Sequence, residues 1–139
     1  MSFDEFCIFC KIVRKQAQAS IIYEDETVMA FLDIRPLNLR HTLVIPKKHY
    51  VDIFDTPDNV LSDVHTLSKK ISYAVKKASN ADGISIIHQN GKAAGQDIFH
   101  LHVHVVPRFE GQKMPGFSEL QEVERNKLDN IAKKIKQEL

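Results

Sequence analysis

The sequence of 139 residues has no tryptophan, only two cysteines, five glycines and five prolines, and a formal net charge of +1. It lacks any apolar run near the ~20 residues that a transmembrane helix needs, so we expect no membrane association. The near-neutral charge argues against a nucleic-acid-binding protein. The acidic start at residues 1–5 lacks the apolar core of a secretory signal, and we expect a cytoplasmic protein. Repeats, low-complexity segments and linkers are absent, which predicts one domain over residues 1–139.

The two cysteines form a single CxxC motif, Cys7-Ile8-Phe9-Cys10. In a cytoplasmic protein such a pair binds metal or does redox chemistry more often than it forms a structural disulfide. A thioredoxin-like role needs a βαβ context that the neighbouring sequence lacks. A structural zinc ion needs four ligands, of which the pair supplies two. The motif alone therefore leaves a metal site and a half-buried structural pair both open.

The hydrophobic pattern predicts an α+β domain with an antiparallel five-stranded sheet. Two runs rich in β-branched and aromatic residues are separated only by three acidic residues, which predicts a hairpin. The predicted strands cover residues 20–23, 27–32, 42–45, 83–87 and 100–106.

Three helices are predicted around this sheet. A long amphipathic helix begins at Thr56-Pro57, with Thr56 as N-cap and Pro57 as the first helical residue, and is ended by Asn80 and Gly83. Its apolar stripe predicts that it packs on the sheet. Apolar residues at 6, 9, 10 and 13 predict a short helix that ends before residues 19–20, and a C-terminal helix is predicted over 118–139.

Three histidines alternate with apolar residues in the predicted strand 100–106, which reads His-Leu-His-Val-His-Val-Val. Alternate side chains of a strand point to the same face, so His100, His102 and His104 are expected on one face. The apolar residues between them then enter the core. Three neighbouring imidazoles are costly to bury unless their nitrogens find partners or a ligand. We therefore interpret the histidine face as a chemical site.

Two kinds of chemistry suit this face. Three histidines can hold a catalytic zinc ion with a fourth position left for water. Alternatively, one neutral imidazole attacks phosphorus and forms a covalent intermediate that water hydrolyses, while the others bind phosphate oxygens. The loop 89–96, Gln-Asn-Gly-Lys-Ala-Ala-Gly-Gln, leads towards the strand, and its backbone amides together with Lys92 suit an anion. The loop favours the phosphorus chemistry.

The order of these motifs resembles the histidine-triad (HIT) family of nucleotide-binding hydrolases. The resemblance implies a HIT-like fold and an enzyme that releases a nucleoside monophosphate from a phosphoramidate or a dinucleoside polyphosphate. A non-catalytic nucleotide-binding module is the alternative, beside the zinc hydrolase with three histidine ligands. The resemblance covers about residues 5–108, and its motifs are the CxxC segment 7–12, Phe-Leu-Asp-Ile-Arg-Pro at 31–36, His-Thr-Leu-Val-Ile-Pro-Lys-Lys-His at 41–49, the loop 91–96 and the triad with Pro107-Arg108.

The resemblance also implies roles for single residues. His102 would attack the α-phosphorus, while His104 and His41 would bind the phosphate and stabilise its developing charge. His100 would orient the site, and Asp33 would bind the ribose hydroxyls. The remaining expected contacts are Phe9, Ile34 and Leu43 with a purine base, and Gln89, Asn90, Gly95, Gln96 and the backbone N–H of Asp97 with the phosphate.

The sequence departs from the family pattern where leaving groups are recognised. A subset of the family has a small hydroxyl residue after the Gly-Gln pair, where this chain has Asp97. A carboxylate beside phosphate would be repulsive, so we expect Asp97 to turn outward. The position that is often Asn in that subset is Gln89 here. The tail also lacks an aromatic C-terminal lid, so leaving-group specificity does not transfer.

Some bacterial members of the family resemble this chain in combining CxxC with a histidine after Pro-Lys-Lys, here His49. The resemblance implies a closed structural zinc site made by Cys7, Cys10, His49 and His100. Such a site would tie the N-terminal helix to the triad strand and fix the His100 ring in support of His102. Both the resemblance and the open edges of the sheet predict a homodimer.

Overall fold

A computed structural model describes residues 3–115 and 119–139 of the chain. Within these residues, five strands form one antiparallel sheet, which confirms the predicted α+β class. The strands are β1 (Ile21–Glu24), β2 (Val28–Leu32), β3 (Thr42–Pro46), β4 (Gly83–His88) and β5 (Val103–Arg108), and the helices are α1 (Ile8–Val13), α2 (Asp58–Ser79) and α3 (Arg125–Lys136), with a 3₁₀ turn at Lys92–Ala94.

The strands are ordered β1-β2-β3-β5-β4 across the sheet. Strand β5 is last in the sequence, yet it is inserted between β3 and β4. Its register places His104 beside Leu43 of β3 and Ile87 of β4. The third residue of the triad therefore lies near the centre of the sheet.

The two faces of the sheet carry separate cores. Helices α2 and α3 cover one face, where Leu101, Val103 and Val105 join the larger cluster as the alternation predicts. Helix α1 covers the other face, where Phe9 and Ile12 pack against apolar residues of β2 and β3. Because side chains alternate along β5, His104 points to the α1 side.

The predicted strand start at residue 100 is wrong, because β5 begins at Val103. The preceding segment bonds to the last residue of β3 and to the loop that follows it. The N–H of Leu101 donates to the Tyr50 carbonyl at 2.7 Å, and the His100 ring reaches the Pro46 carbonyl at 2.8 Å.

The predicted start of α2 also differs from the structure. Helix α2 has Pro57 as its N-cap rather than as its first residue, because the Thr56 hydroxyl donates to the Asp52 carbonyl at 2.6 Å. Its predicted end at Asn80 is confirmed, with a left-handed φ of 54°.

The predicted C-terminal helix exists but is shorter than expected. Its predicted start, Ser118, lies outside the described residues, and α3 begins only at Arg125. Before it, the Val123 N–H donates to the Ile34 carbonyl at 2.8 Å, so this segment contacts the loop after β2. In the parts of the chain that the structure describes, no helix is both long and apolar enough to cross a membrane.

Candidate functional site

Four histidines meet on the α1 side of the sheet, and all are buried. His41 precedes β3, His104 lies in β5, and His100 and His102 lie in the segment that leads into β5. Their ring nitrogens find partners inside the protein, which is how the fold accommodates so many imidazoles. The hydrogen-bond partner of each ring determines which of its two nitrogens carries the proton.

The His102 ring is oriented by the backbone just before it. Its Nδ1 lies 2.8 Å from the His100 carbonyl oxygen. A carbonyl only accepts hydrogen bonds, so Nδ1 carries the proton and the neutral ring has its lone pair on Nε2. The Phe9 ring packs edge-on against His102, with ring centroids 5.2 Å apart. His102 therefore offers Nε2 as a nucleophile.

A second chain of hydrogen bonds fixes His41 and His104. The Leu37 N–H donates to His41 Nδ1 at 3.0 Å, so His41 carries its proton on Nε2. That proton is donated to His104 Nδ1 at 2.9 Å. His104 must then carry its own proton on Nε2, as a donor. Together, Leu37 and His41 make His104 a hydrogen-bond donor with a neutral ring.

Burial keeps this chain neutral. It lowers the pKa of His41 to about 3 and the pKa of His104 to about 4, since both rings lose contact with water. Burial acts in the opposite direction on the neighbouring carboxyl and raises the pKa of Asp33 to about 6. Asp33 Oδ2 lies 3.7 Å from His41 Nε2, and Oδ1 accepts the Arg35 N–H at 2.9 Å.

A cavity of about 400 Å³ opens beside these histidines, within the size range of small-ligand pockets. Leu120 and Arg125 also line the cavity, although neither was predicted as a site residue. Leu120 precedes α3, and Arg125 is its first residue. His102, His104 and five predicted nucleotide contacts line the cavity: Phe9, Asp33, Ile34, Leu43 and Asp97.

The other four predicted phosphate contacts, Gln89, Asn90, Gly95 and Gln96, are not among the described residues that line the cavity. The buried Gln96 amide is used inside the protein. Its Oε1 accepts the Gly91 N–H at 2.8 Å, and its Nε2 donates to the Val51 carbonyl at 2.6 Å. Gln96 therefore holds the loop closed against the segment after β3.

Asn90 and Gly95 have similar structural contacts in this loop. Asn90 Oδ1 accepts the Ile53 N–H at 2.8 Å. Gly95 has a φ of +96°, and a Cβ there would lie 2.6 Å from Gln89 Nε2. The loop thus needs glycine at this position for its backbone conformation and for the close approach of Gln89.

Asp97 stands at the mouth of the cavity. Its side chain is 74% exposed, yet Oδ1 lies 3.6 Å from His102 Nε2. When His102 Nε2 also carries a proton, its hydrogen bond to Asp97 lowers the pKa of the carboxyl, and Asp97 is ionised at neutral pH with His102 in either form. An anion therefore faces His102 Nε2.

Cys7, Cys10, His49 and His100 form a second group beside the histidine site. His100 Nδ1 lies 3.4 and 3.6 Å from the two sulfurs, and His49 Nδ1 lies 3.3 Å from Cys10 Sγ and 3.2 Å from His100 Nδ1. Zinc bonds of about 2.0–2.3 Å in a tetrahedron place N and S ligands about 3.3–3.8 Å apart. The four side chains thus fit a tetrahedral metal ion.

The outer nitrogens of both histidines support this fit. His100 Nε2 donates to the Pro46 carbonyl, which leaves the Nδ1 lone pair facing the sulfurs. His49 Nε2 faces the Asp4 carboxylate at 4.0 Å. Since both nitrogens of His100 are engaged away from His102 and His104, the geometry disfavours a zinc ion held by the three triad histidines.

Comparison with known proteins identifies the family. The model of the HIT domain matches residues 14–111, which is most of the chain. The chain belongs to the HIT family. An uncharacterized HIT-like protein of Methanocaldococcus jannaschii, MJ0866, is 44% identical over 94% of this chain and 98% of its own length. Adenylylsulfatase HINT3 of Arabidopsis thaliana is 41% identical over 75% of this chain and 53% of its own length.

Solved structures agree with this HIT assignment. A Hit-like protein from Bartonella henselae superimposes with a TM-score of 0.90 and 39% identity, over 99% of both chains. A zinc-bound histidine-triad family protein from Mycobacterium smegmatis has a TM-score of 0.83 and 39% identity, over 94% of this chain and 91% of its own.

Proposed function

We propose that this HIT-family protein is a nucleotidyl hydrolase, which releases a nucleoside monophosphate from a phosphoramidate or a dinucleoside polyphosphate. The observation that carries the proposal is the orientation of His102. Its Nδ1–H is held by the His100 carbonyl, and its Nε2 lone pair faces a cavity of about 400 Å³. A neutral imidazole fixed in this way is a nucleophile that needs no separate base.

The reaction proceeds in two steps. The Nε2 lone pair of His102 forms a bond to the α-phosphorus, and the bond from phosphorus to the leaving atom breaks with its electron pair on that atom. The Nε2–H of His104 donates to a phosphate oxygen and stabilises its charge. Water then attacks the phosphorus and loses a proton to the solvent, while the bond from phosphorus to His102 Nε2 breaks with its electron pair on Nε2. This frees His102 and yields the nucleoside monophosphate.

The same cavity offers suitable groups for the nucleoside. The Asp33 carboxylate accepts hydrogen bonds from the ribose hydroxyls. The apolar walls at Phe9, Ile34 and Leu43 take a purine base, whose flat faces pack well against such side chains. Phe9 lies in α1 and Leu43 in β3, while Asp33 and Ile34 directly follow β2, which favours a preformed site.

Trapping the intermediate tests the proposal. Wild-type protein quenched during turnover of an adenosine phosphoramidate should carry a nucleotidyl group on His102, detected by mass spectrometry of peptides. The His102→Ala variant should lose turnover while still binding AMP in calorimetry. His65→Ala, at an exposed position of α2, serves as the matched control. Full turnover by His102→Ala would overturn the mechanism, and AMP binding without turnover of any substrate would indicate a binding module.

We also propose that zinc is the ion of the Cys7, Cys10, His49 and His100 group. Two thiolates and two imidazoles in a closed tetrahedron are typical of structural zinc. The ion would join α1 to the segment before β5, and it would take no part in the reaction. The thiolates stay reduced in the cytoplasm, which we keep as the expected compartment.

A homodimer remains a further expectation. Strand β4 ends one side of the sheet, and its Ile86 side chain is 47% exposed. An open strand edge with an exposed apolar residue favours pairing with a second copy. Light scattering coupled to size exclusion measures the mass, and a monomer at micromolar concentration would contradict the expectation.

A further inference from the structure

The Asp97 carboxylate occupies the approach to the attacking nitrogen. His102 is held on its Nδ1 side by the His100 carbonyl, so a phosphorus atom can approach only the Nε2 side. Asp97 Oδ1 lies on that side, 3.6 Å from Nε2. In an in-line displacement the leaving atom lies opposite the nucleophile, farther out along the same direction. The leaving group therefore departs on the side of the His102 ring where the Asp97 carboxylate lies.

We infer that Asp97 is a specificity-determining residue, which favours substrates with an amine leaving group over substrates whose leaving group is an anion such as sulfate or phosphate. The inference rests on the proposed nucleotidyl transfer to His102. It narrows the substrate class to phosphoramidates.

The charge balance of the two reactions explains the preference. When a P–N bond breaks, the nitrogen keeps the electron pair and takes up one proton from the solvent, so the departing amine gains no negative charge. When a P–O bond to sulfate or phosphate breaks, the oxygen keeps the pair and the departing group becomes more negative. That added charge develops beside a fixed carboxylate, which raises the barrier for the anion alone.

The charges that line the cavity offset the Asp97 carboxylate only in part. Among residues 3–115 and 119–139, the ion pair found for Asp97 is with His102, and it forms when the His102 ring is protonated. Asp33 adds a second carboxyl to the same cavity. Two arginines also line the cavity and keep their charge, but Arg125 donates to the Ser20 hydroxyl at 2.9 Å and Arg35 is exposed, so neither is bound to Asp97.

The expected size of the effect follows from Coulomb's law. Repulsion between two unit charges about 4 Å apart in water raises the energy of the transition state by about 1 kcal/mol, which slows the reaction roughly fivefold. For a leaving group with two or more negative charges, we expect the reaction to be slowed about tenfold or more. The exposure of Asp97 makes the effect sensitive to salt, because screening weakens interactions between exposed charges.

Three substrates with the same adenylyl group test the inference: an adenosine phosphoramidate, adenylyl sulfate and a diadenosine polyphosphate. The measured quantity is kcat/KM for each anionic leaving group divided by kcat/KM for the amine. In Asp97→Asn this ratio should rise about tenfold, while Asp97→Glu, which keeps the charge, should retain most of the wild-type preference. Asp63→Asn removes an exposed carboxylate from α2 and should leave the ratio unchanged. Added salt should raise the wild-type ratio and leave that of Asp97→Asn nearly constant.

Binding of AMP and ADP separates this inference from the proposed function. The β-phosphate of ADP extends to the leaving-group side, so wild-type protein should prefer AMP, and Asp97→Asn should reduce that preference by about fivefold. If Asp97→Asn turns over its substrates with the wild-type ratio, the role of Asp97 in specificity is wrong and the proposed function stands. If the wild-type protein turns over none of the three substrates, the proposed function is wrong. If, in addition, Asp97→Asn keeps the wild-type preference for AMP over ADP, the charge selection by Asp97 is wrong as well.

Discussion

Acidification from pH 7 to pH 5 should destabilise the fold, because the protein holds His41 and His104 in their neutral forms. Burial lowers the pKa of His41 to about 3 and that of His104 to about 4, from an ordinary value of 6.5. Above pH 6.5 both rings are neutral in the folded and the unfolded chain, and the full stability is present. Below 6.5 the unfolded chain binds protons that the folded chain does not, so stability falls as the pH approaches the folded pKa values.

The expected loss follows from the linkage relation. Each pH unit in that window changes the free energy of unfolding by about 1.4 kcal/mol per residue, so each histidine loses about 2 kcal/mol between pH 7 and pH 5. Asp33 has the opposite sign, since its pKa is raised to about 6 and the folded chain binds its proton first. Protonation of Asp33 in the folded chain adds about 1 kcal/mol to the free energy of unfolding at pH 5. The three groups together therefore lower the free energy of unfolding by about 3 kcal/mol.

Urea unfolding followed by circular dichroism measures this loss at both pH values. Replacement of His104 by Asn removes one titrating ring while keeping a polar side chain of similar reach. Between pH 7 and pH 5 the variant should lose about 2 kcal/mol less than the wild type. The exposed His65→Asn on α2 should lose as much as the wild type. An equal loss in His104→Asn and wild type would show that His104 is not held neutral by the fold.

Three further predictions concern the metal group, the loop and the ribose. The Cys7→Ser/Cys10→Ser double variant should lose bound zinc in elemental analysis and several kcal/mol of stability, since a structural zinc contributes to folding directly; an unchanged zinc content would contradict the assignment. Gly95→Ala should destabilise the protein by about 1–2 kcal/mol in thermal unfolding, and Gly91→Ala by more, because Gly91 has a φ of 94° with a ψ of 152°, a conformation that essentially only glycine adopts, whereas Gly95 is left-handed. Asp33→Ala should reduce the preference for AMP over its 2′-deoxy form by about tenfold in calorimetry, whereas an unchanged preference would exclude a contact with the 2′-hydroxyl.

The sequence predicted the elements of this fold better than their ends. Alternation along 101–105 correctly assigned the apolar residues to the core, because burial of one face is a local pattern. The start of β5 was wrong because Leu101 bonds to Tyr50, a contact between segments 51 residues apart in number and set only by the folded chain. The insertion of β5 between β3 and β4 likewise has no local signal.

In the candidate site, too, the residue types could be predicted from the sequence but the long-range contacts could not. Histidines and acidic residues are visible in a sequence, and the structure brings His102, His104 and Asp33 to one cavity, with His41 bound to His104. The groups that orient these rings include backbone atoms, such as the Leu37 N–H and the carbonyl of His100, which almost any residue type supplies. Sequence reasoning therefore finds the candidate side chains but not the positions of their protons.

The place of β5 in the sheet has a consequence for how the protein is made. Because β5 is the last strand to leave the ribosome and fills the gap between β3 and β4, a nascent chain that ends before β5 has a three-stranded fragment, β1-β2-β3, and a β4 segment without its neighbour β5. The strand that completes the sheet is also the one that carries His104. Truncated or prematurely released chains should therefore be both unfolded and inactive, so that quality control by proteolysis removes every chain that lacks this part of the site.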